Sequence, residues 1–135
     1  MGNTIILDVC DLLEAGRYGD MGAMYGLSDA LDALAERLDV SKLSAFFDYR
    51  ELIEAYDEDP EAEVPPPSWF DAADGLGTIK SLRLRLMENF DALGWTPDKS
   101  TAHWPGQLMK ELEFCESTLG SAVAVGQPFR LRIVP

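Results

Sequence analysis

Leu27, Leu31, Leu34 and Leu38 step along the chain by four, three and four residues, while Asp29, Asp32, Glu36 and Asp39 step by three, four and three in the opposite phase. At 100° per residue this puts leucine on one face and carboxylate along the centre of the other, the pattern of an amphipathic helix. Ser28 is a natural cap for its start. Such a helix must bury its leucine face against the rest of the chain.

The surrounding sequence offers four more helical stretches. Residues 4–15 place Ile5, Ile6, Val9, Cys10, Leu12 and Leu13 on one arc and Asp8, Asp11 and Glu14 on the other. The β-branched start Thr4-Ile5-Ile6 also suits a strand, so residues 4–9 as a strand is the alternative. A glycine-rich connection over 16–27 follows, with at most one helical turn. The next helix is expected to start at Asp48, where Asp48 and Glu51 resemble a capping box and Tyr49, Leu52, Ile53 and Tyr56 form its apolar stripe. A fourth stripe runs through Leu76, Ile79, Leu82, Leu86, Phe90 and Leu93 to a stop at Gly94, with Ser68 and Asp71 ahead of it as a cap. The fifth starts at Pro105, carries Leu108, Leu112, Cys115 and Leu119, and is expected to close at Gly120. Beyond it the period changes to two. Ala122–Val125 and Phe129–Ile133 read as the arms of a short hairpin around Gly126-Gln127-Pro128. The expected fold is mainly α, an irregular bundle of about five helices with a C-terminal β-hairpin, or α+β if residues 4–9 are a strand.

At 135 residues the chain fits a single domain, 1–135, large enough to bury a core. Its one biased stretch is residues 57–67, with four prolines and five acids. That composition favours an extended connection between two helical halves. No internal repeat is visible.

Charge is unevenly spread: residues 1–74 carry 18 acids against four bases, and residues 75–135 carry six against seven. The net charge of −13 sets repulsion against nucleic-acid backbones and anionic membranes, and favours a basic protein as partner. Three like-charged pairs on the second helix cost on the order of 1 kcal/mol before screening. Either that face is merely solvated, or it is used as a docking surface. In the second reading Asp29, Asp32, Glu36 and Asp39 steer the partner, and Trp69 and Phe70, directly after the prolines, act as aromatic anchors. Leu31, Leu34, Leu38, Leu52 and Ile53 should then be buried behind the carboxylates.

Other constellations fall short of a motif. Asp57, Asp59, Glu61 and Glu63 alternate like calcium ligands, but Ala62 and Ser68 stand where an EF-hand needs Gly and Glu. Gly75-Leu76-Gly77 is followed by Lys80 where a dinucleotide site needs a third glycine, no strand precedes it, and the Gly-x-x-x-x-Gly-Lys-Ser/Thr spacing of a P-loop is not met. Cys10 and Cys115 read as buried thiols, and neither lies near His103, the single histidine, in sequence. No catalytic residue, metal site or cofactor is assigned. The N-terminus has neither the basic start nor the cleavage site of a signal peptide, so a cytoplasmic protein is expected. The leading expectation is a non-enzymatic acidic binding module, of the immunity, antitoxin or adaptor kind. The alternative is a small-molecule-binding domain or minor enzyme with a pocket near His103 and the tryptophans.

Overall fold

A computed structural model describes residues 3–11, 20–56 and 66–135. The expectations for residues 12–15 and for most of the 57–67 connection lie outside the described residues. Five helices and three short strands appear in the order β1 (Thr4–Val9), α1 (Gly22–Gly26), α2 (Ser28–Arg37), β2 (Phe47–Asp48), α3 (Arg50–Tyr56), α4 (Ala72–Glu88), α5 (Trp104–Val125) and β3 (Phe129–Val134). The chain is mainly α with a small sheet.

Residues 4–9 are a strand, not the start of a helix. Their burial alternates along β1, with Ile5, Leu7 and Val9 inward. β1 runs antiparallel to β3 from Thr4 opposite Val134 to Val9 opposite Phe129, and two residues of β2 join β3 on its other side in parallel, giving the order β1-β3-β2. Phe129, Leu131 and Ile133 complete the apolar inner face. The β-branched run could follow either period. A partner strand 125 residues away settles it, because an edge strand is stable only when its backbone groups are paired.

The hairpin expected over 122–133 therefore does not form. Ala122–Val125 is the last turn of α5, and Phe129–Val134 pairs with β1 instead. Gly120 does not end α5 either. It sits in open space on the helix, while Gly126 takes φ +68° and closes it, the Gln127 N–H reaching the Ala122 carbonyl at 3.0 Å. Ala122 is fully buried, so the helix gains more by continuing than the glycine costs.

α4 packs along α5; α1 and α5 lie against β1, α4 meets β3 through Gly75 and Phe129, and α2 packs on α1 and α4 within the same core. Asp71 caps α4, accepting the Ala73 N–H at 3.4 Å. Helix geometry ends at Glu88, a 3-10 turn over Phe90–Leu93 takes over, and Gly94 at φ +71° stops that turn. Gly75 lies buried inside α4. A Cβ there would overlap the Phe129 ring, so the glycine lets helix and sheet approach closely. α2 starts without the expected Ser28 cap, because the buried Leu27 links it to α1 through a Leu27 N–H to Ala23 carbonyl bond of 3.0 Å.

α3 corrects another expectation. Tyr49, Ile53 and Tyr56 are exposed, Ile53 at 42% and Tyr56 at 69%, and only Leu52 of that stripe packs against the core. The helix lies against β3 on the outer side of the sheet, held by an ion pair between Glu51 and Arg132 rather than by its apolar stripe. Leu31 and Leu34 are buried as expected, and Leu38 is half-buried.

Candidate functional site

The acidic stripe of α2 breaks up into different tasks once the neighbours are in place. Asp39 has φ +58° and forms the left-handed stop of the helix, with the Val40 N–H reaching back to the Ala35 carbonyl at 3.1 Å. Its side chain borders a shallow hollow with Asp74 and Thr78, apart from the other carboxylates. Glu36 pairs with Lys42 at 3.0 Å on the exposed surface. Asp32 turns toward the chain after α2, where its Oδ1 accepts the Ser44 N–H at 3.0 Å and secures the 3-10 turn Leu43–Phe46. Asp29 is exposed and accepts no hydrogen bond among the described residues.

Asp29 and Asp32 share a groove of about 500 Å³ with Tyr25, Ser28, Phe47 and Tyr49. α1 supplies Tyr25, α2 the carboxylates, and the turn into α3 supplies Tyr49. Burial pushes the Tyr49 phenol above its ordinary pKa, and the fields of Tyr25, Asp32 and Asp29 push it the same way. The phenol therefore sits within the negative field of the groove. Neither Tyr25 nor Tyr49 was legible as a site residue. Tyr49 reads in the sequence as core because it holds the first position of an apolar stripe, and only the docking of α3 through Glu51 leaves it outside.

Trp69 and Phe70 do not line this groove, and the two differ from each other. Phe70 pairs through its backbone with Phe129, its N–H to the Phe129 carbonyl at 2.8 Å, and its ring packs against Phe46 and Phe129. The residue is half-buried, packed against the core. Trp69 is 40% exposed and stacks over the Arg130 guanidinium, 4.9 Å from its ring centroid. Arg130 also meets Asp8 at 2.9 Å and Asp48 at 2.7 Å, and Asp48 accepts the Arg50 and Ser68 N–H groups as well. This network ties together β1, β2, β3 and the entry to α4.

A second hollow, of about 350 Å³, lies where α1 meets the start of α5, with His103, Trp104, Asp20, Gln107 and Glu111 in its walls. Trp104 stacks on Trp95, centroids 5.9 Å apart at 18°. Glu111 is completely buried, accepts the Met24 N–H at 2.9 Å with Oε1, and has no hydrogen-bond partner for Oε2 among the described residues. The signal for it was present: Glu111 falls within the stripe Leu108, Leu112 and Cys115, where a carboxylate does not belong.

The two cysteines are free. Cys115 is buried with its thiol 3.5 Å from the Met21 sulfur, and Cys10 follows β1 instead of lying on a helix face. Among the described residues no group of three His, Cys, Asp or Glu side chains is placed to hold a metal ion. No helix among them is long and apolar enough to cross a membrane. No family model, curated protein or solved structure matches the chain.

Proposed function

We propose that the chain is a non-enzymatic binding module for a basic protein, and that the groove between α1, α2 and Tyr49 receives a lysine or arginine side chain of that partner. The observation that carries this reading is the placing of two carboxylates, Asp29 and Asp32, beside two tyrosine rings in one groove of about 500 Å³. Carboxylates bind a cationic head group by charge-assisted hydrogen bonds, and aromatic walls take up its alkyl stem or guanidinium plane. The net charge of −13 adds long-range attraction for a basic surface and repels polyanions. Trp69, above Arg130, lies outside the groove and is not needed for this contact.

The test is kinetic. The full chain is immobilised and a basic partner, captured at low salt and released in high salt, is passed over it. Asp29→Lys should slow association at least fivefold at low salt and flatten its salt dependence, because the steering charge has been reversed. Tyr49→Ala should act mainly on dissociation. Unchanged rates for both variants at every salt concentration would overturn the reading.

A further inference from the structure

Of the eight large hydrophobic side chains left exposed among the described residues, three stand together on α3: Tyr49 at 47%, Ile53 at 42% and Tyr56 at 69%. Tyr49 precedes Arg50, but the Ile53 N–H bonds the Tyr49 carbonyl at 3.1 Å, so it keeps the spacing of the helix. At 100° per residue the three fall within an arc of about 60°. Glu51 points the opposite way, to Arg132 on β3, and Leu52 packs toward the core. Arg50 and Glu54, on one flank of the row, pair with each other at 3.9 Å. The outer face of α3 is therefore an apolar ridge whose polar neighbours are turned away from it or paired beside it. Water gains nothing from that surface, and an apolar patch rimmed by polar groups marks a contact face.

The ridge runs on from the groove. Tyr49 is its first member and also a wall of the groove that holds Asp29 and Asp32, whereas Ile53 and Tyr56 lie beyond that wall. Charge decides what can cover it. A second copy of the chain would bring another −13, and an anionic lipid surface is repelled in the same way. An element that carries both an apolar face and positive charge is drawn to the groove and can bury the ridge in one approach.

Resting on the docking reading above, we propose that the ridge Tyr49, Ile53 and Tyr56 receives a basic amphipathic helix of the partner, its apolar face lying along α3 and its cationic side directed to the groove. Members of the ridge are spaced by four and three residues, and a second helix with apolar residues at the same spacing interlocks with such a row. The carboxylates of the groove supply attraction and direction, which act on association. The ridge supplies the apolar area that retains the helix once it has docked, which acts on dissociation.

The probe is an amidated synthetic peptide of about 18 residues, long enough to form a helix, made of lysine, alanine and leucine with the leucines on one face. A control peptide of identical composition has its leucines scattered around the helix. Each is titrated at constant ionic strength into the ¹⁵N-labelled full chain. The amphipathic peptide should bind at least tenfold more tightly than the control, with saturable shifts at the Ile53 and Tyr56 amides. Ile53→Ser combined with Tyr56→Ser should abolish that preference and leave the control peptide's affinity unchanged, while Asp29→Lys should weaken both peptides alike. Equal affinity for the two peptides, shifts that bypass α3, or a preference that survives the α3 double variant would each overturn the proposal. The groove and the ridge fail separately: a preference that persists while Asp29→Lys changes neither affinity defeats the groove and keeps the ridge, and a weakened Asp29→Lys without any preference does the reverse. If the double variant disturbs the fold, the two peptides on the unaltered chain decide the matter alone.

Discussion

Asp48 and Arg130 meet at 2.7 Å where β2 joins β3, and both side chains are nearly removed from water, at 4% and 12% exposure. The carboxylate also holds the Arg50 N–H at 2.9 Å and the Ser68 N–H at 3.1 Å, so one buried ion pair sets the start of α3 and the approach to α4.

Arg130→Met should destabilise the fold by about 3–5 kcal/mol, because it strands Asp48 as an unpaired buried charge. Replacing both partners, Asp48→Asn with Arg130→Met, should cost less than the single change. Urea unfolding with a common m-value measures both.

Two glycines of α4 should respond in opposite directions. Gly75→Ala puts a methyl group into the Phe129 ring, which is itself held by Phe46 at a 5.2 Å centroid separation. Overpacking of that kind costs about 1–3 kcal/mol and outweighs the gain in helix propensity. Gly77→Ala meets nothing within 4 Å and should stabilise by about 0.5–1 kcal/mol. Thermal melts of the two variants give the comparison directly.

The pH dependence follows from two carboxylates shifted in opposite senses. Burial works against the charge of Asp48, but the Arg50 N–H, the Arg130 guanidinium and the Ser68 N–H outweigh it and hold its pKa below the ordinary value. Its stabilisation is present above the unfolded value of ~3.9 and is lost as pH falls through the folded one. Glu111 is shifted upward, so the folded chain holds its proton more tightly than the unfolded chain does. Stability therefore declines as pH rises from the ordinary ~4.3 through the raised folded value. Self-repulsion of the −13 net charge adds to that decline and is relieved by salt. The melting temperature should peak below neutral pH, and Glu111→Gln should raise it at pH 7 by removing the buried charge. A flat profile from pH 5 to 7 in the unaltered chain would contradict this.

Charge reversal along α2 should separate surface from structure. Asp29→Lys should change stability by no more than ~0.5 kcal/mol, since the side chain is exposed. Asp32→Lys should cost about 1.5–3 kcal/mol, because the Ser44 N–H loses a charged acceptor. Circular dichroism melts distinguish the two before any binding is measured.

What could be read from the chain was local and repetitive. The opposed phases of Leu31, Leu34 and Asp29 identified α2, and the stripes Ile79, Leu82, Leu86 and Leu108, Leu112, Cys115, Leu119 identified α4 and α5, with all of those apolar positions buried. Helix formation depends on contacts three and four residues apart, and sequence displays those directly. The site was less legible. Asp29 and Asp32 stood out as carboxylates, but Tyr25 and Tyr49, which complete the groove, belong to elements that meet only after folding.

By itself the sequence determined the amphipathic helices α2, α4 and α5, the stop at Gly94, the excess of acid in the first half and the apolar period of β3. Only the tertiary structure decided that Thr4–Val9 is a strand, that Ala122–Val125 stays helical, that Asp32 and Asp39 serve the fold, and that Glu111 is buried with one oxygen unmatched. The reason is the range of the deciding interactions. β1 needs a partner 125 residues away in the chain, and Glu111 reaches Met24 across 87 residues, so in each case the local pattern is compatible with more than one outcome. Burial and hydrogen-bond pairing at long range select between them.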